Sequence, residues 1–430
     1  MRTKFWMLTS LLLVSALFLA ACGASNPAPT GDTAAAGDAA ATSAPAADTA
    51  SGEAVTIQIW HGWTGEYFTS IEEVFTAYEE AHPGVTIELS KPDNLSEAAT
   101  VAIPAGEGPD IFAWVNDQIG TQALSGNIIS LNDLGVDQAF LDSTYEPAAV
   151  AGVVWRDQVW GLPETQEGIA LVYNKALVSE DYLPTDPMDF ADLLAKATKF
   201  QADTDMPLLC NQGFPGADAY HVAPVYFGFG MPSYIDDEGG VHLDSPEGIA
   251  AGQWLKEISA VVNTEASADI CKAAMTEGKV GAWWTGPWAI ADLEAAGIDY
   301  GIIPMGRPFV GIKTLMLTAN AADRGNAEVA LDVIKYFTSA EVQKGLSLAN
   351  KTIPAATAAL EDPAVQALTT VSGFGASLNL GIPMANTPYA SAQWTAVGDA
   401  TAAIWNGAQT PAEAVAAAQT AIEEQIVSMQ

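Results

Sequence analysis

Positive charge is what this chain has least of. Its 430 residues carry 16 Lys and Arg against 52 Asp and Glu, a formal net charge of −36. A surface of that sign repels phosphate backbones, so nucleic-acid binding is excluded. Cysteine is scarce at three, and the four histidines show no HxxxH spacing. A structural zinc site needs four such ligands together, so no metal site is expected. The nucleophile elbow GxSxG, the phosphate loop GxxxxGK[ST] and the dinucleotide fingerprint GxGxxG are all missing. No cofactor is expected. With 52 carboxylates, close pairs arise by chance, and no glycosidase-type acid–base pair can be read from spacing.

What is present begins at the N-terminus. Arg2 and Lys4 precede an apolar run over residues 5–18, followed by Leu19-Ala20-Ala21-Cys22. The run is shorter than the roughly 20 residues of a membrane helix. A basic start, a short apolar stretch and small residues before a cleavage point make a secretory signal over residues 1–21. Leu-Ala-Ala-Cys resembles the bacterial lipobox, which implies cleavage before Cys22, lipidation of its thiol and membrane attachment through the lipid. Residues 23–53 are dominated by Ala, Thr, Ser, Gly, Pro and Asp, with no aromatic residue and no cation. Such a segment buries too little to offset its ordering entropy, so residues 22–54 read as a disordered tether.

The body from residue 55 onward is long enough for two lobes, since single cores stop growing near about 250–300 residues. Residues 55–60 alternate as a strand, and Ile71, Val74, Phe75 and Tyr78 recur at helical spacing. Further strands are expected at 85–89 and 110–114. Strands alternating with helices predict parallel βα units, and binding residues then belong in the loops after Trp60 and Trp114. A second α/β region starts near Gly168. Ser245-Pro246 opens a helix, and 338–341 and 410–413 both match the capping box. The last helix places Val415, Ala418, Ile422 and Ile426 on one face. Cys210 and Cys271 remain once Cys22 is lipidated. In an oxidising compartment they could pair, and a bridge and two buried thiols both stay open.

Aromatics and carboxylates gather where loops should face a cleft. Trp63, Glu66 and Tyr67 follow the first strand; Trp114, Asn116 and Asp117 follow the third; Gln166 and Glu167 precede another. Trp283, Trp284 and Trp288 flank Gly286-Pro287, and Trp394 stands beside Ala392-Gln393. Indole faces suit the apolar faces of sugar rings, and carboxylates take the hydroxyls. Trp60, Trp155 and Trp160 read as packing residues.

Several motifs, in this order, resemble the extracellular solute-binding proteins of sugar ABC transporters, the maltose/maltodextrin-binding group above all. They are 106–111 (Gly-Glu-Gly-Pro-Asp-Ile), 114–118 (Trp-Val-Asn-Asp-Gln), 171–175 (Leu-Val-Tyr-Asn-Lys), 278–283 (Gly-Lys-Val-Gly-Ala-Trp), 285–288 (Thr-Gly-Pro-Trp) and 308–311 (Pro-Phe-Val-Gly), with Trp394 before the last helices. The resemblance implies an α/β, two-lobed periplasmic-binding-protein fold with hinge-crossing segments. The N-lobe would be 55–165 plus 310–360, and the C-lobe 166–309 plus 361–430. It also implies a monomer that hands an oligosaccharide to permease subunits and makes or breaks no bond. Its stacking aromatics fall on Trp114, Tyr220, Trp288 and Trp394, and its hydroxyl-binding acids on Asp117, Glu167 and Asp218. Trp63 and Glu66 stand where maltodextrin binders carry an Asp-Lys pair; Gln118 replaces an Arg and Ala223 a Trp. These departures keep the sugar class and leave maltose itself open. Two other readings stand beside it: a carbohydrate-active enzyme using Glu167 with Asp117 or Glu66, and a binder of a non-sugar solute such as a polyamine or metal.

Overall fold

The computed structural model describes residues 54–211, 218–262 and 267–429. The signal segment, Cys22 and the tether lie outside the described residues. Within them, one hydrophobic core packs on the first sheet and two on the second, where Leu171 and Trp284 face one core and Val172 and Trp283, with Cys210, Cys271 and Phe374, face a third. The first core draws on residues 57–162 and 310–359, the second on 169–309 and 384–426.

The first sheet grows from β1 (Val55–His61), whose alternation buries Ile57 and Ile59 completely. β2 (Val85–Ser90) and β3 (Ile111–Val115) flank it, both parallel to β1. Helix Gly65–Ala81 joins the first two and turns Ile71, Phe75 and Tyr78 inward, with Val74 half-buried at the edge of that stripe. Asp110 fastens the entry to β3. It is fully buried, and its carboxylate accepts from the Gln58 N–H at 2.8 Å and pairs with Arg324 at 3.3 Å. A hairpin of β4 (Val154–Trp155) and β5 (Gln158–Val159) turns through Arg156 and Asp157, both left-handed at φ 52° and 57°, as a two-residue hairpin demands. Trp155 and Trp160 pack there half-buried.

β6 (Leu162–Glu167) then leads toward the second core, and β7 (Ala170–Asn174) follows almost at once. The second sheet has the order β10-β7-β9-β8, built with β8 (Leu209–Asn211), β9 (Ala282–Thr285) and β10 (Tyr300–Ile303). The chain returns along β11 (Phe309–Leu317). Phe309 belongs to the second core, whereas Val310 through Leu317 supply the first. β11 pairs antiparallel with both β3 and β6, and β12 (Ile382–Pro383) crosses once more beside Phe309 and Val310.

Parallel order, expected from the first three strands, holds for β1–β3, and β8 beside β9 and β11 beside β12 are parallel as well. The other pairings are antiparallel: β11, arriving from the opposite lobe, runs against β3 and β6, and β7 runs against its neighbours β9 and β10. The expected capping box at 338–341 does not form, and the N-cap falls one residue later. Ser339 caps the helix Ala340–Asn350, because Thr338 Oγ1 is buried and committed to the Ile334 carbonyl and the Tyr145 hydroxyl. Ser245 and the reciprocal Thr410–Glu413 box cap where the sequence places them, and the last helix buries Val415, Ala418, Ile422 and Ile426. Cys210 on β8 and Cys271 on helix Ala268–Thr276 are joined by a disulfide.

Candidate binding cleft

Between the two lobes lies a cleft of about 1140 Å³, above the ~300–1,000 Å³ of drug-sized pockets. The first lobe contributes Trp63 beyond the end of β1 and Trp114 and Asp117 at the end of β3. The second contributes Asp218, Tyr220, Trp288 and Trp394, and the crossing strands carry Glu167 and Lys313 along its floor.

Two of the tryptophans lie flat on backbone that only glycine permits. A Cβ on Gly62 would stand 2.1 Å from the Trp114 ring, and one on Gly286 would stand 2.2 Å from the Trp288 ring. Trp288 leaves 38% of itself exposed. Tyr220 stacks on Phe309, centroids 6.0 Å apart, and its hydroxyl donates to the Glu167 carbonyl at 3.1 Å.

Asp117 is aimed by its neighbour. The buried Asn116 accepts from the Ile312 N–H and donates to the Met384 carbonyl, both at 3.0 Å, which pins the end of β3 to two crossing segments. Asp117 Oδ2 accepts from the Trp394 indole at 2.8 Å, while Oδ1 is buried without a partner. Burial pushes this carboxyl up to about 6, against the hydrogen bonds from Gln118 and Trp394 that favour its ionised form. Beside it, the floor holds a buried charge network. Glu167 Oε1 lies 3.1 Å from Lys313 Nζ. Glu164, 1% exposed, accepts from Trp63 Nε1 at 3.0 Å and from the Tyr67 hydroxyl at 2.5 Å. Burial raises its carboxyl to about 6, although Lys313 draws it down. Burial alone would lower Lys313, but the charges of Glu167 and then Glu164 raise it.

Eight of the nine expected site residues line this cleft. Glu66 does not. It sits exposed in the first turn of helix Gly65–Ala81 and borders a smaller recess of about 100 Å³ with Tyr67 and Asn350. Trp63 offers the cleft only an edge, since its ring is 3% exposed and packs with His61, Phe75 and Phe337. Trp284, grouped with the cleft aromatics by sequence, is fully core. Asp218 spends its carboxylate locally, accepting from the Tyr220 and His221 N–H groups and from His221 Nδ1. Sequence reading missed Glu164, Lys313 and His221. Lys313 left a signal as the one charge inside the apolar run 309–317; Glu164 left none among so many carboxylates.

Residues 73–372 match the family described as bacterial extracellular solute-binding protein. This chain belongs to that family. The solute-binding protein is 28% identical over 367 residues to the maltotriose-binding protein of Pyrococcus abyssi, covering 82% of this chain and 77% of that one. It is 27% identical over 376 residues to the galactooligosaccharide-binding protein of Bacillus subtilis, covering 83% and 86%. Its fold matches the maltose/maltodextrin-binding domain of Bdellovibrio bacteriovorus, bound to maltotriose, with TM-score 0.77, 22% identity and coverage of 86% and 100%. The Thermus thermophilus maltotriose-binding protein gives 0.75, 21%, 86% and 100%. The architecture is thus the two-lobed α/β binding-protein fold, and the family's work lies outside the cytoplasm.

Proposed function

We propose that this solute-binding protein is the substrate-binding subunit of a carbohydrate ABC importer and takes a maltodextrin-like oligosaccharide between its lobes. The observation that carries the reading is the cleft wall itself. Trp114, Tyr220, Trp288 and Trp394 line it together with the carboxylates of Asp117 and Glu167. Pyranose rings present apolar faces edged with hydroxyls, which is the complement of that surface. The oligosaccharide binders among its relatives agree with this chemistry. The carboxylates serve as hydrogen-bond acceptors, and no bond is made or broken. The chain acts as a monomer held by a lipid on Cys22 at the outer face of the cytoplasmic membrane, with the permease as its partner.

A thermal-shift screen from mono- to tetrasaccharides tests the reading, since a ligand that binds the folded state raises the melting point. A rise that appears with di- to tetrasaccharides and not with polyamines is expected; a flat response to every sugar would remove the proposal. New reducing ends after incubation with maltooligosaccharides would make the protein an enzyme instead. Cys22→Ala is expected to move the protein from membrane to soluble fractions.

A further inference from the structure

His221 stands in the first turn of helix Ala219–Gly228, lines the cleft and is 4% exposed. Its Nδ1 lies 2.6 Å from Asp218 Oδ2. A carboxylate only accepts, so Nδ1 carries the hydrogen. Asp218 is itself held in place, with Oδ1 accepting from the N–H groups of Tyr220 at 3.0 Å and His221 at 3.2 Å. Burial would raise its carboxyl, but the charge of His221 and these hydrogen bonds bring it below the usual carboxylate range. The ring is therefore oriented and one nitrogen is committed.

The other nitrogen is left over. His221 Nε2 is buried and has no hydrogen-bond partner. The ring meets Trp288 edge to face at 5.8 Å. On β9, which lines the same cleft, Trp283 Nε1 is likewise buried and unpaired. A buried polar atom without a partner is costly, and native structures retain few of them. With Asp117 Oδ1, three of them line one cleft, and they point to a ligand that completes them. Nε2 is a lone pair on the neutral ring and an N–H on the cation, and a hydroxyl satisfies either form because it both donates and accepts.

We propose that His221 is a specificity-determining contact of the cleft, its Nε2 hydrogen-bonding a hydroxyl of the sugar unit that Trp288 covers. This rests on the sugar-binding reading above. Calorimetry with maltotriose as the probe tests it in three variants. His221→Phe keeps the shape and removes both nitrogens. His221→Asn keeps a donor for Asp218 and loses the Nε2 position. His221→Gln reaches the Nε2 position and gives up the Asp218 contact. Phe and Asn are expected to weaken binding about five- to twentyfold, and Gln to stay within about threefold of wild type. A residue that merely holds Asp218 gives the opposite order, with Asn benign and Gln harmful. That order, equal losses in all three, or unchanged binding in the Phe variant overturns the proposal. Wild-type protein that binds maltotriose while showing one of those patterns leaves the sugar reading standing. Wild-type protein that binds no oligosaccharide removes both.

Discussion

Asp117 shows what a single side chain contributes to this cleft and what it costs. Its carboxyl is raised from 3.8 to about 6 by burial. The folded state therefore favours the protonated form. The penalty is absent below about pH 4, grows as pH rises toward 6, and is complete above it, on the order of 3 kcal/mol. Asp117→Asn is expected to stabilise the ligand-free protein at pH 7–8, measured by urea denaturation, and to weaken sugar binding. A hydroxyl donating to the unpaired Oδ1 favours the ionised form, so wild-type affinity for maltotriose should fall about tenfold between pH 7 and pH 5. The Asn variant should lose the part of this fall that Asp117 carries; a wild-type profile that is itself flat would contradict this role. Asp117, Trp114 and Trp288 were legible in sequence because they stand at or just past strand ends, where α/β sheets place ligands, whereas Trp394 opens a helix and was reached through the family resemblance. Glu164 and Lys313 were not, because their meaning comes from each other, on strands that meet only in the fold.

At the scale of the element, the disulfide ties β8 to helix Ala268–Thr276, and so braces the sheet that carries Trp283. Its cysteines are 61 residues apart in sequence, and closing a loop of that length contributes about 4 kcal/mol in the chain-entropy picture. Replacing both cysteines by Ala is expected to lower the urea midpoint of the oxidised protein, and dithiothreitol should do the same to wild type. An unchanged midpoint in both experiments would assign the bridge no stabilising part. Individual strands and helices were readable from their periods: β1, β2, the helix Gly65–Ala81 and the final helix fall within a few residues of expectation. Strand direction was not. Whether β7 and β11 run with or against their neighbours depends on the order in which the chain crosses between lobes, and local pattern carries no record of that.

For the whole molecule, a ligand that touches both walls binds the closed arrangement better than an open one, and that difference drives closure. Small-angle scattering should give a smaller radius of gyration with saturating maltotriose than without; equal radii alongside confirmed binding would favour a rigid module. Glu167 and Lys313 stand on β6 and β11, the strands that pass between the lobes. A point at a fulcrum scarcely travels while the arms swing. On the proposed closure the ion pair would be available to an arriving sugar in either state, whereas Trp114 and Trp288 would clasp it together only once the arms have met. Arrival and dwell time are then expected to depend on different residues. In stopped-flow measurements, exchanging Lys313 for Met should act mainly on the association rate. Trimming Trp288 to Ala should leave arrival nearly untouched and let the sugar go sooner.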